Sequence, residues 1–119
     1  MDLGFAKDWP DEWMVQVNEY LQGERKSFDL EVAPEGTDFQ KSVWAAMMKI
    51  PYGETRTYSQ IAAAIGRPKA MRAVGTACGK NQIPIIIPCH RVVAASGLGG
   101  FSLDLGMKKQ LLALEQKYK

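Results

Sequence analysis

Thr57-Tyr58-Ser59-Gln60-Ile61-Ala62-Ala63-Ala64-Ile65-Gly66-Arg67-Pro68-Lys69-Ala70-Met71-Arg72-Ala73-Val74-Gly75-Thr76-Ala77-Cys78 is the stretch on which the fold turns. Thr57 and Gln60 have capping-box spacing: the threonine hydroxyl can accept from the third helical amide while the glutamine reaches back to the cap amide. The pattern predicts a helix from Tyr58 to about Ile65, ended by Gly66. Arg67-Pro68 predicts a second helix with proline at its first position, where a missing N–H is no loss, running to Cys78. Two short helices joined by a tight turn make a helix-turn-helix, and the second carries Lys69, Arg72, small alanines and Gly75. Other alanine-rich helical pairs share this pattern, so spacing alone leaves both readings standing.

Working outward, Thr37-Asp38-Phe39-Gln40 repeats the capping box and opens a helix to about Lys49. Its Phe39, Val43, Trp44, Met47 and Met48 stripe reads as core packing, and Pro51-Tyr52-Gly53 breaks it. Upstream, Trp13, Val17, Tyr20 and Leu21 mark a helical face over Asp11–Leu21, with Pro10 at its start and Gly23 at its stop. Phe28, Leu30 and Val32 alternate with Asp29 and Glu31, which predicts a short strand before the boundary at Ala33-Pro34-Glu35-Gly36. Residues 1–36 are thus expected to be a small helix-plus-strand segment and residues 37–119 the main domain. Downstream, the apolar run from Ile83 to Val93 is strand-like but interrupted by Pro88. A glycine-rich loop from Ser96 to Ser102 follows, then a last helix from about Asp104 to Lys117. That helix carries Leu111 and Leu114 on its apolar stripe and brings Leu105, Leu112 and Glu115 toward a common region. Glu115 is either an exposed charge at a helix end or a carboxylate packed on the core.

The chain has 119 residues, 46% of them hydrophobic and 24% charged, which suits one soluble globular domain. It shows no signal-peptide pattern and no membrane-length apolar run, so a cytoplasmic location is expected, or a nuclear one if the source is eukaryotic. Cys78 and Cys89 are expected to be free thiols in such a compartment. Two cysteines and one histidine without CxxC spacing do not make a structural zinc set, and no P-loop pattern occurs. The net charge of +2 conceals an asymmetry: residues 1–36 hold nine acids and three bases, residues 37–119 twelve bases and four acids. No carboxylate lies between Glu54 and Asp104, where Arg56, Arg67, Lys69, Arg72, Lys80 and Arg91 all fall. This is either a surface facing phosphates or a solvated face balanced by the acidic N-terminal part.

Pro88-Cys89-His90-Arg91-Val92 carries the chemistry, because a thiol, a histidine and an arginine sit side by side. Cys89 is either a small hydrophobe in a buried strand or a nucleophile, and the second role needs a base or positive charge nearby to raise the thiolate fraction. Pro88 cannot donate to a ladder and favours an extended Ile87, which places the thiol where a strand meets a turn.

That pentapeptide resembles the active-site signature of the O6-alkylguanine-DNA alkyltransferases, also called methylated-DNA-protein-cysteine methyltransferases. Ile50-Pro51-Tyr52-Gly53-Glu54-Thr55, Thr57-Tyr58, Arg72-Ala73-Val74-Gly75, Asn81, Leu98-Gly99-Gly100-Phe101 and Leu111-Leu112-Ala113-Leu114-Glu115 also match, in order. The resemblance implies a mainly α, winged helix-turn-helix-like domain carrying the active-site cysteine, preceded by a truncated α+β N-terminal segment. It implies irreversible transfer of an alkyl group, methyl foremost, from guanine O6 in DNA to Cys89, once per molecule and without cofactor or metal. His90 would take the thiol proton through a water, Glu115 would orient the imidazole, and Asn81 would brace the active-site turn. Tyr58 would contact a phosphate and give a proton to N3 of the leaving guanine. The partner would be double-stranded DNA held through its minor groove by a monomer with the target base flipped out. Arg72 would fill the gap in the stack, Ala73 and Gly75 would allow close approach, and Lys69 and Lys80 would hold phosphates. The guanine pocket would be formed by the Cys89 and Val92 backbone, Ser102, Met71 and Phe101. Leu103, where the family commonly has glycine, narrows it, so methyl is expected to be accepted more readily than benzyl. The alternative is a non-catalytic alkyltransferase-like protein that flags lesions; those proteins replace the cysteine that is present here.

Overall fold

The computed structural model describes residues 1–99 and 105–119. Among them α1 (Asp11–Leu21), α2 (Asp38–Met48), β1 (Arg56–Thr57), α3 (Tyr58–Ala64), α4 (Met71–Gly79), β2 (Val92–Val93) and α5 (Leu105–Tyr118) follow in chain order, with 3-10 turns at Gly4–Ala6 and Cys89–Arg91. The architecture is mainly helical with one small sheet.

Local chemistry starts and stops these helices. Both capping boxes form: Gln40 N donates to Thr37 Oγ1 at 3.1 Å and Thr37 N to Gln40 Oε1 at 3.0 Å, while the Thr57–Gln60 pair repeats the exchange at 3.1 and 2.8 Å. At the end of α3 the chain reverses at Gly66, whose φ of 76° suits a residue without Cβ. Gly66 N then donates to Ala63 O and Arg67 N to Ala62 O, a Schellman-type closure that satisfies the last carbonyls. The helix after this turn begins at Met71 rather than at Pro68. Pro68 and Lys69 instead form a turn closed by Ala70 N donating to Arg67 O at 2.9 Å.

α2, α3 and α4 pack against one another, and buried residues of α1, α5 and the segment 83–92 complete the same core. Val43, Trp44 and Met47 of α2, Ile61 and Ala62 of α3, and Val74 and Ala77 of α4 are buried together. Trp44 also donates from Nε1 to Ala77 O at 2.9 Å, so its polar edge is satisfied inside the core and fixes α2 against α4. β1 and β2 pair in parallel, Arg56 with Val92 and Thr57 with Val93. This short ladder ties the residues just after the Cys89–Arg91 turn to the entry of α3, and α5 packs on the same turn.

Three expectations need correction. Phe28–Val32 is not a strand, and it pairs with none among the described residues. The Gln16 side chain takes the place of a neighbour: Asp29 N donates to its Oε1 at 2.9 Å and its Nε2 donates to Asp29 O at 3.4 Å. Gln82 does the same for Glu35 at 3.4 and 2.7 Å, so two side-chain amides clasp one extended segment. Ile83–Pro88 is likewise a turn rather than a strand; Ile85 has φ 75°, a region costly for a β-branched residue, and only an isolated bridge joins Pro84 to Ile87. Leu105 on α5 is exposed, whereas Met107, Leu111 and Glu115 face inward. No helix among the described residues is long and apolar enough to cross a membrane.

Candidate active site

Cys89 opens the 3-10 turn and is 3% exposed, held by its own N–H donating to Ile87 O at 2.8 Å. The backbone leading to it is shaped by Asn81, at the end of α4. Asn81 Nδ2 donates to Ile87 O at 2.9 Å and its Oδ1 accepts from Ile83 N at 3.0 Å, so one buried amide closes the turn from both sides. The strained Ile85 lies inside this loop, over-determined by those bonds and by its own burial. Burial pushes the Cys89 thiol above its ordinary pKa, opposed by a hydrogen bond with Asn81 and by the nearby Lys108 ammonium. The resting group is therefore the neutral thiol, and a proton must leave it before sulfur can act as a nucleophile.

Behind the thiol lies a buried polar cluster centred on Glu115 of α5. His90 Nε2 lies 2.6 Å from Glu115 Oε2, and the Tyr20 hydroxyl donates to the same oxygen at 2.6 Å. Gly53 N donates to Oε1 at 3.0 Å. Arg91 bridges both oxygens, Nε at 2.9 and 3.1 Å and Nη2 at 3.0 Å, while Nη1 donates to Ile50 O at 2.8 Å. Burial alone would raise the Glu115 pKa, but the hydrogen bonds from His90, Arg91 and Tyr20 outweigh it and bring it down to about 2. For His90 the balance is reversed: burial lowers its pKa more than Glu115 raises it, with Arg91 and Lys108 adding to the lowering. The consistent charge state is a carboxylate neutralised by arginine beside a neutral imidazole. With Nε2 facing two oxygens, the proton belongs on Nε2, and Nδ1 is the basic atom. Nδ1 has no hydrogen-bond partner among the described residues.

Sequence reasoning overlooked several of these groups. Tyr20 reads as one apolar position on the α1 face, yet its hydroxyl is at the centre of the cluster. Arg91 is drawn to Glu115 and the Ile50 carbonyl. The cation that acts on the thiol is Lys108, whose Nζ is buried and donates to Val92 O at 2.7 Å. One signal for Lys108 was available: it precedes Glu115 by seven residues and therefore shares its helix face. Gly53, at φ 80°, contributes only its amide, which no side-chain pattern announces.

The remaining predicted positions fall into a second region. Lys69, Met71, Arg72, Ala73 and Lys80 are exposed on α4 and its flanks, and Gly75 is half-buried. The Met71 sulfur accepts from Ser59 Oγ at 3.2 Å. Tyr58, half-buried, lies near Gly75 and Gly99. A Cβ on Gly99 would fall 2.9 Å from the tyrosine ring and 3.0 Å from Ala94 N, and its φ of 73° independently favours glycine. Val92 is buried in β2. Phe101, Ser102 and Leu103 lie outside the described residues. Cys78 is buried on α4 with its Sγ 3.6 Å from Met47 Sδ, and burial pushes its thiol up to about 12.

Residues 38–117 match the family model described as 6-O-methylguanine DNA methyltransferase, DNA binding domain. The methylated-DNA–protein-cysteine methyltransferase of Methanosarcina barkeri is 58% identical over 102 residues, spanning 85% of this chain and 65% of its own length. The protein of the same name from Methanosarcina acetivorans is 54% identical over 117 residues, spanning 89% and 75%. A Mycobacterium tuberculosis OGT solved in complex with DNA superposes with a TM-score of 0.87 at 51% identity, over 90% of this chain and 67% of that one. The chain thus spans about two thirds of the length of these relatives. Likeness of this degree, over a range that includes the helices α2 to α5 and the thiol turn just described, makes the chain a member of the 6-O-methylguanine DNA methyltransferase family.

Proposed function

We propose that the protein reverses DNA damage directly, transferring the alkyl group of O6-alkylguanine, methyl foremost, to Cys89 once per molecule. The observation that carries this reading is His90: fully buried beside Cys89, fixed through Nε2 by Glu115 and left basic at Nδ1. In the proposed step Nδ1 takes the thiol proton through a water, and Cys89 Sγ forms a bond to the alkyl carbon. The carbon–O6 bond breaks, its electrons move into the guanine, and Tyr58 supplies a proton at N3. Nothing in this sequence restores the thiol, so each molecule reacts once.

The same reading assigns the exposed region to DNA. α3 and α4 act as a winged helix-turn-helix with α4 in the minor groove, which suits a protein that must scan any sequence. Arg72 fills the gap left by the flipped nucleotide, Ala73 and Gly75 permit close approach, and Lys69 and Lys80 hold phosphates. Val92 and Met71 contribute to guanine recognition, and a monomer suffices, acting in the cytoplasm or, if the source is eukaryotic, the nucleus. The residues 37–119 unit carries the reaction, with residues 1–36 packed behind it. A lesion-flagging role without transfer finds less support, since the thiol and its base are both present. Single-turnover assay against a duplex containing O6-methylguanine tests the proposal: methyl removal should saturate at one equivalent per protein, and repeated turnover or none would overturn it.

A further inference from the structure

The Tyr20 hydroxyl reaches the Glu115 cluster from α1, outside the matched residues 38–117. It is fully buried and packs against Phe28 and Tyr52, with ring centroids 5.5 and 6.1 Å away. Its oxygen is 2.6 Å from Glu115 Oε2 and 3.4 Å from His90 Nε2. The first distance is a strong charge-assisted hydrogen bond, while the second is beyond the usual N–H···O range. Phenol and imidazole thus compete as donors to a single carboxylate oxygen.

We infer that Tyr20 is a positioning residue for His90: its hydroxyl occupies part of the accepting capacity of Glu115 Oε2 and limits how firmly that oxygen holds the imidazole. This inference rests on the proposed transfer only for its consequence. A carboxylate relieved of one donor becomes more basic toward the donors that remain, and His90 is the one that can gain a positive charge. Without the phenol, Glu115 stabilises imidazolium more strongly, and less of the histidine is free to accept the thiol proton near neutral pH. The groups facing His90 are Glu115 and Lys108 from α5, Arg91 from its own turn and Tyr20 from α1. Among these groups, only Tyr20 can lose its hydroxyl without altering a formal charge or the Cys89 turn. The N-terminal helix thereby tunes the base of a site whose other members lie in the matched domain.

His90 is the only histidine in the chain, so its ring resonances can be followed without ambiguity by NMR as pH is varied. In Tyr20→Phe the midpoint should rise by about one unit, giving about ten-fold more imidazolium at a fixed acidic pH. A fluorinated tyrosine at position 20, a stronger donor of nearly the same shape, should move it down. Phe28→Leu, which loosens the packing behind the ring but keeps the hydroxyl, should leave it in place. An unchanged midpoint in both position-20 variants, or an equal shift in Phe28→Leu, would overturn the inference. Methyl transfer at pH 6 relative to pH 8 should fall in Tyr20→Phe. Absence of transfer by the wild-type protein would instead remove the proposed reaction and leave the NMR comparison intact.

Discussion

The interior cluster around Glu115 and the exposed face of α4 are both rich in basic residues, and they use charge in opposite ways. Inside, Arg91 and Lys108 are held by named acceptors in fixed geometry, and the imidazole between them is kept neutral. Outside, Lys69, Arg72 and Lys80 project into solvent. The difference teaches that the basic residues downstream of Glu54 include two populations. One surrounds a buried imidazole and the other, on the proposed reading, meets phosphates, and a single count of charges cannot separate them.

The sharpest way to divide the two regions is Cys89→Ala. It should abolish transfer entirely and leave duplex binding unchanged, as measured side by side by methyl release and fluorescence anisotropy. Loss of binding together with transfer would show that the thiol turn and the α4 face are not separable.

Breaking the interior comes next in size. Glu115→Gln leaves Arg91 buried without its carboxylate, so it should cost about 3–5 kcal/mol of stability at neutral pH and slow transfer. The pH dependence has a definite sign. Glu115 is held well below the ordinary carboxylate value of ~4.3, so its contribution is full above that pH and disappears as pH falls toward about 2. His90 is also held below its ordinary ~6.5, so the unfolded chain gains a proton that the folded chain resists, and stability declines as pH drops below that value. Both terms make the protein acid-labile. Thermal unfolding should therefore show a gap between wild type and Glu115→Gln that narrows from pH 7 to pH 3; a constant gap would contradict the assigned charge state.

On the surface, Arg72→Ala should lower repair of duplex DNA by about ten-fold or more, because filling the stack offsets part of the few kcal/mol needed for base flipping. Reaction with a free base analogue should be much less affected. Binding through this face should also weaken steeply with salt, with a smaller slope when Lys69 or Lys80 is replaced. Equal losses on duplex and free base would move Arg72 out of the DNA-facing region.

The smallest effect is expected where the N-terminal segment is clasped. Gln16→Ala removes both bonds to Asp29 and should cost about 1–2 kcal/mol by denaturant unfolding, with transfer by the folded protein nearly unchanged. No loss of stability would mean that solvent replaces the clasp without penalty.

The two regions also differ in how far they could be read in advance. α2, α3 and their caps follow from short-range patterns, since Thr37 with Gln40 and Thr57 with Gln60 state their hydrogen bonds locally. The exposed character of Lys69, Arg72 and Lys80 follows from charge. The interior resisted because its members meet only in three dimensions: Tyr20, Gly53, the adjacent His90 and Arg91, and Glu115 come from four separate parts of the chain. Periodicity also misled where side-chain amides replaced backbone partners. Phe28–Val32 alternates like a strand, but Gln16 satisfies the Asp29 backbone; Ile83–Pro88 is apolar like a strand, but Asn81 folds it into a turn through Ile83 and Ile87. Pro68 is compatible with a helix start, and the chain instead closes a turn at Ala70 and begins α4 at Met71.

The most direct test of the central claim is peptide mass after mixing the protein with a duplex containing O6-methylguanine. The peptide bearing Cys89 should gain the mass of one methylene, once per molecule, while the peptide bearing Cys78 stays unmodified. Duplex binding with no mass change, or a gain on Cys78, would contradict the account.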